Sequence, residues 1–170
     1  MNRFKLNNKA FTLVEFLIYM VIMIFVLLGL VYFMLTVVRS REKGNVIAEV
    51  EMQGHQIMQT MTQTIRNSES IINPTVGNIT NSLIVDVYDT VKDPTIFNID
   101  GDSLIINEAG GANINLTTNN VVLTNLTFNN VSRNNTKDTI KIKFDLMYNK
   151  KGDDTTFEYI KTFYGSATRR

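Results

Sequence analysis

The sequence predicts an α+β fold in which a long N-terminal helix, transmembrane in its first half and amphipathic in its second, packs against an antiparallel β-sheet. Three observations lead there. Residues 10–38 form an apolar run interrupted by a single charge, Glu15; residues 46–65 repeat apolar side chains at helical spacing; and the chain beyond Pro74 breaks into short β-branched segments separated by turn residues.

The first element begins behind a basic stretch. Residues 1–9, MNRFKLNNK, carry Arg3, Lys5 and Lys9 and no acid, so the positive-inside rule keeps this end in the cytoplasm and sends the remainder outward. From Phe16 to Val38 there are 23 uncharged, largely apolar residues. As a helix they extend ~35 Å, enough for a hydrocarbon core of ~30 Å. A cleavable secretory signal has an apolar core of about 7–15 residues ending in a small-x-small site. This run is longer and leads into Thr36-Val37-Val38-Arg39, so it is expected to stay in the mature chain. The expected location is the cytoplasmic (inner) membrane, crossed once, with the N-terminus inside and the C-terminal domain outside.

The helix is expected to continue into water. Val46, Ile47, Val50, Ile57, Met58, Met61 and Ile65 recur at spacings of three, four and seven, while Arg41, Glu42, Lys43, Glu49, Glu51, Gln53, Gln56, Gln59 and Gln63 fill the other faces. No proline interrupts the pattern. Asn67 and Ser68 are its terminators, and Pro74 prevents much further extension. The amphipathic half is therefore placed at 39–67 and the β-rich region at 73–170, together one exported domain of residues 39–170.

An apolar stripe needs a cover, and the C-terminal half supplies it. Strands are expected at 82–89, 95–100, 103–108, 113–118, 121–131, 139–148 and 155–164. The clearest is Ile140-Lys141-Ile142-Lys143-Phe144-Asp145-Leu146, which alternates apolar with polar. Turns are expected at Asp100-Gly101-Asp102, Gly110-Gly111, Asn119-Asn120 and from Asn149 to Asp154.

Composition excludes several functions. The balance of 17 Lys+Arg against 16 Asp+Glu gives no basic field for nucleic acid, and the absence of cysteine removes disulfides and thiolate metal sites. No nucleophile motif, phosphate-binding glycine loop or metal-ligand spacing occurs, so neither enzymatic activity nor a cofactor is expected. His55 has no Cys, second His or acid–base partner in its vicinity and reads as a surface or structural histidine. Asp100-Gly101-Asp102 lacks the loop spacing and distal Glu of an EF-hand, which leaves a tight hairpin. Lys150, Lys151, Arg169 and Arg170 read as solvated surface, and DNA is not an expected partner.

Lys9-Ala10-Phe11-Thr12-Leu13-Val14-Glu15, followed by the apolar run, resembles the class III signal of the type IV pilin superfamily: a short basic leader, a small residue, then Phe-Thr-Leu-Val/Ile-Glu opening a transmembrane helix. Where the family usually has Gly, this chain has Ala10. The resemblance implies that residues 1–10 are a prepilin leader and residues 11–38 the transmembrane half of the helix. It implies cleavage between Ala10 and Phe11 by a prepilin peptidase, N-methylation of Phe11, and packing of mature subunits by their helices into a filament. Partners would be other pilin or pseudopilin subunits, the peptidase, the inner-membrane assembly platform and, before assembly, membrane lipid. The β-rich, cysteine-free exported part looks most like a minor pilin or J-type minor pseudopilin of a type IV pilus or type II secretion-like filament.

Two roles for Glu15 are open at this stage. Thr12-x-x-Glu15 matches a helix capping box, in which both side chains satisfy free backbone donors. The resemblance adds an assembly salt bridge between Glu15 and the Phe11 ammonium of a neighbouring subunit, with Thr12 as the helix cap. An alternative for the whole chain is an uncleaved, single-pass membrane-anchored β-rich domain that binds an extracellular ligand.

Overall fold

The computed structural model describes residues 12–133, 136–148 and 158–170. Among the described residues one helix, α1 (Leu13–Arg66, 54 residues), is followed by nine strands. The chain divides into two compact units between Lys43 and Gly44.

In the first unit the described residues are helical from Leu13 onward, and their large apolar side chains are exposed apart from the half-buried Val37. This stretch is long and apolar enough to cross a membrane. An all-round apolar helix without a protein cover is what a lipid-facing segment requires.

In the second unit α1 has one buried face. Val50, Ile57, Met61 and Ile65 are at most 1% exposed, and these four side chains contribute on the order of 6–12 kcal/mol of gross burial. The predicted stripe is thus the core-facing stripe. Gln53, expected on the polar faces, is buried with the stripe, and so is Gly54. Gln53 sits at i+3 from Val50 and i−4 from Ile57, so the 3.6-residue period places it inward whatever its polarity.

The cover is two sheets where the sequence pointed to one. The first has the order β1 (Ser68–Asn73), β3 (Leu83–Val87), β4 (Thr95–Asp100), β5 (Ser103–Glu108), β6 (Ile114–Asn115). The second has the order β2 (Ile79–Thr80), β7 (Val121–Asn130), β8 (Thr139–Tyr148), β9 (Ile160–Thr168). Every pairing is antiparallel. Leu83, Val85, Phe97 and Leu104 from the first sheet join Phe128, Ile140, Ile142, Phe144 and Leu146 from the second and the helix stripe in one core cluster.

Local chemistry fixes the registers. In the β4–β5 hairpin Asp100 pairs with Ser103, and Gly101 supplies the positive φ (59°) at the first central position of the turn. In β7 a bulge between Thr124 and Thr127 puts Asn125 at φ 52°, leaving Thr124 and Asn125 outward while Leu123 and Leu126 both reach the core. The Asn125 carboxamide donates to Asp145 Oδ2 across the pair at 2.6 Å, and it holds the Asp145 carboxyl below its ordinary value, with a bond from Thr162 adding to the effect.

Candidate assembly surface on the N-terminal helix

Thr12 and Glu15 form a closed capping box. The Thr12 N–H donates to Glu15 Oε2 at 3.4 Å, the Thr12 hydroxyl donates to the same oxygen at 3.3 Å, and the Glu15 N–H donates to Thr12 Oγ1 at 3.3 Å. The first helical bond runs from the Phe16 N–H to the Thr12 carbonyl at 3.2 Å. Both free N-terminal donors that a box serves are satisfied, and the carboxylate lies at the positive end of the helix dipole. Glu15 is nevertheless exposed, and it is the one charged residue between Thr12 and Val38. Ala10 and Phe11, the residues of the expected cleavage and methylation, lie outside the described residues.

Below Glu15 the surface is apolar. Val14, Leu17, Ile18, Val21 and Ile22 border a shallow groove of about 260 Å³, the kind of furrow that receives a ridge of a neighbouring helix. Thr36, the polar exception near the end of the run, donates its hydroxyl to the Tyr32 carbonyl at 2.9 Å, so it brings no unsatisfied donor into an apolar medium.

Polar groups clamp the second half of α1 to the segment between β6 and β7 and to the start of β9. The Gln53 carboxamide accepts from the Thr118 N–H at 3.1 Å and donates to the Thr118 hydroxyl, while Asn120 donates to Glu49 at 2.9 Å. Lys161 on β9 pairs with Glu51 at 2.7 Å, and the Tyr159 hydroxyl donates to the same carboxylate oxygen at 3.5 Å. The hydrogen bond and charge of Lys161 hold the Glu51 carboxyl below its ordinary value of 4.5, and Glu51 in turn holds the Lys161 ammonium above 10.5. The sequence had put both Glu49 and Glu51 on a solvated face. They lie at its margin, one turn from buried residues, where a charge can reach a strand.

The remaining candidates resolve as structural. His55 is exposed and meets the Phe163 ring edge-on at 5.8 Å. Arg169 pairs with Asp138 at 3.3 Å and donates to the Glu69 carbonyl, and the Arg170 N–H donates to the Arg66 carbonyl at 3.2 Å, so the C-terminal arginines tie β9 to the end of α1 and to β1. Lys150 and Lys151 lie outside the described residues. Among the described residues no group of three or more His, Cys, Asp or Glu is placed to hold a metal ion. No protein-family model matches the chain, and neither a curated protein nor a solved structure matches it.

Proposed function

We propose that this chain is a structural subunit, a minor pilin or minor pseudopilin, of a type IV pilus or type II secretion-like filament. A prepilin peptidase removes residues 1–10 and methylates Phe11, and the apolar half of α1 leaves the bilayer to pack among the helices of neighbouring subunits on the assembly platform. The observation that carries this reading is the capped Glu15 at the head of an uncharged, exposed apolar stretch (residues 16–38) of a helix whose second half enters the core of a β-rich domain.

Glu15 is the centre of the chemistry. A carboxylate at the middle of a bilayer costs roughly 2.5–3.5 kcal/mol, so a single acid in this segment calls for a compensating partner. Its own capping box uses one carboxylate oxygen and supplies no countercharge. Cleavage creates the countercharge: the new Phe11 ammonium of an adjacent subunit neutralises Glu15 in an apolar filament core and fixes axial register. The chain acts by assembly; it carries out no reaction of its own and takes no cofactor.

Coexpression with a prepilin peptidase followed by intact-mass measurement tests the proposal. The expected product begins at methylated Phe11. It has lost Arg3, Lys5 and Lys9 and no acid, which moves the formal side-chain charge from +1 to −2. A chain that keeps Met1 beside a competent peptidase sinks the pilin reading in favour of an uncleaved anchored binding domain.

A further inference from the structure

Two surface features of the β-rich unit complement each other. The first is the turn joining β3 to β4. Val91 is 78% exposed, more than any other large apolar side chain among the described residues, and Tyr88 is 72% exposed. Asp86, at the end of β3, and Asp89 and Asp93 in the turn flank them along the chain. Each carboxylate accepts a local hydrogen bond, from the Ser70 hydroxyl at 3.3 Å, the Val91 N–H at 3.0 Å and the Val87 N–H at 3.1 Å respectively, and none meets a cation within ion-pair distance among the described residues. The lysine of this turn, Lys92, is engaged with Glu108 at 3.2 Å. The turn is an apolar knob with an acidic collar.

The second feature is a groove of about 600 Å³ on the outer face of the β2–β7–β8–β9 sheet. Ile79 and Tyr164, 63% and 72% exposed, supply its apolar surface. Lys141 and Lys143 line it because they alternate along β8 with the buried Ile140, Ile142 and Phe144. Neither lysine is in an ion pair among the described residues, and the Lys143 ammonium lies 5.8 Å from the centroid of the Tyr164 ring. The groove is apolar with a cationic margin.

We propose that the Tyr88–Val91 turn of one copy of this chain seats in the Lys141–Lys143–Tyr164 groove of a second copy. The turn offers a match for both chemistries of the groove, apolar side chains against Ile79 and Tyr164 and carboxylates against the two lysines. A polyanion would meet the lysines and leave Ile79 without an apolar partner. Knob and groove lie on different sheets and share no residue, so the contact is heterologous: each docked copy still presents a free knob or groove, and the contact propagates. It involves the β-rich units alone and does not depend on cleavage at Ala10, so its failure is separable from failure of the pilin reading.

The absence of native cysteine gives a clean test. Two differently tagged full-length copies, one Val91→Cys and one Ser166→Cys, are coexpressed in membranes and mildly oxidised. The expected result is a disulfide-linked heterodimer. Its yield should fall at least about tenfold, the factor carried by ~1.4 kcal/mol, when the Ser166→Cys copy also carries Lys141→Glu and Lys143→Glu. Lys141→Gln/Lys143→Gln, which removes the charge without repulsion, should give a smaller loss and guards against misfolding of the reversed variant. A Val91→Cys copy paired with Ile114→Cys on β6 is the control and should not cross-link. No heterodimer, an equal yield with the Ile114→Cys control, or a yield indifferent to both lysine variants overturns the proposal.

Discussion

The ring of Phe163 on β9 fills the space that a Cβ on Gly54 of α1 would occupy. The ring cannot retreat easily, because it is stacked on Phe144 with centroids 5.3 Å apart and touched edge-on by His55. One turn along the helix the relationship is reversed: Met58 reaches into the space above Gly165 of β9. Helix and strand are locked by two complementary insertions, each permitted by a missing side chain.

Gly54→Ala should therefore destabilise the fold although alanine is the better helix former. The propensity gain is ~1 kcal/mol, and forcing a methyl into a packed core costs about 1–3 kcal/mol. With an aromatic ring pinned on the far side the cost falls in the upper part of that range, so a net loss of up to roughly 2 kcal/mol is expected, read as a lower denaturant midpoint. Phe163→Leu should partly rescue Gly54→Ala. Gly44→Ala, where no atom lies near the added Cβ, should stabilise by up to ~1 kcal/mol. Equal effects of the two glycine substitutions would refute the lock.

That lock also explains which parts of the fold were legible in the sequence. The β4, β5, β7 and β8 strands stand where alternation and turn residues placed them, because each pairs with a neighbour through a local signal. β9 is expected at 155–164 and is found at Ile160–Thr168; Gly165, Ser166 and Ala167 carry no β signature, and of these Gly165 makes room for Met58 while Ala167 is buried in the core. Residues 155–157 lie outside the described residues. β1 was missed because Ser68–Asn73 reads locally as a helix terminator; its strand state comes from distant pairing with β3, through two register shifts. β2, two residues long, has no period to detect, and the division into two sheets depends on that same long-range pairing. At the head of α1 the Thr12–Glu15 box is readable from spacing alone, whereas the groove is not, since it unites residues from β2, β7, β8 and β9.

The Glu51–Lys161 pair sets a pH dependence with a definite sign. Glu51 has a folded pKa below its ordinary 4.5, so its contribution is complete above that value and is lost as pH falls through the folded pKa. Lys161 has a folded pKa above 10.5, so its contribution is complete below that value and is lost as pH rises through the folded pKa. Both groups are solvent-accessible, and the effect should be small. Glu51→Gln should flatten the acid and alkaline limbs of a stability–pH profile together. Loss of one limb alone would contradict the pairing.

Asp86 works in the opposite direction. Its hydrogen bond with Asp93, assisted by burial and by repulsion from that neighbour, raises its carboxyl above the ordinary 3.8. The folded state then holds this proton more tightly than the unfolded chain, and the stability it contributes is lost as pH rises through the raised value. Asp93→Asn keeps an oxygen to accept from the Val87 N–H and removes the repulsion. It should raise the melting temperature at pH 7 and leave it nearly unchanged at pH 3. A loss at pH 7 would mean that the Asp93 charge is itself stabilising.

Truncation separates the exposed apolar part of α1 from its core-facing part. A fragment of residues 39–170 keeps Val50, Ile57, Met61 and Ile65 and should be soluble and cooperatively folded. A fragment of residues 73–170 loses all four, with on the order of 6–12 kcal/mol of gross burial, and nearly all of β1 as well. That is comparable to the whole stability of a typical domain, ~5–15 kcal/mol. It should aggregate through the uncovered sheet faces. Circular dichroism and gel filtration decide, and a monomeric, cooperatively melting 73–170 would show that the helix is dispensable to the core.

Glu15→Ala distinguishes a cap from an intersubunit charge partner. In the single chain the substitution opens the capping box, which costs about 0.5–2 kcal/mol of local helix stability. It also removes the one charge from the apolar run, which makes membrane insertion easier. Membrane abundance should therefore equal or exceed that of the wild type. In a filament core the same change leaves a neighbour's Phe11 ammonium desolvated and unpaired, a loss on the order of 3–5 kcal/mol for one member of a buried pair. The second effect exceeds the first, so incorporation into filaments should fall by orders of magnitude while insertion and cleavage persist. Glu15→Gln sharpens the distinction, since the carboxamide oxygen can still accept from the Thr12 N–H and preserve the box but carries no charge. Quantitative immunoblotting of membrane and sheared-filament fractions measures both quantities in one culture. If Glu15→Gln assembles like the wild type while Glu15→Ala does not, Glu15 serves as a cap and the proposed pairing with Phe11 is wrong.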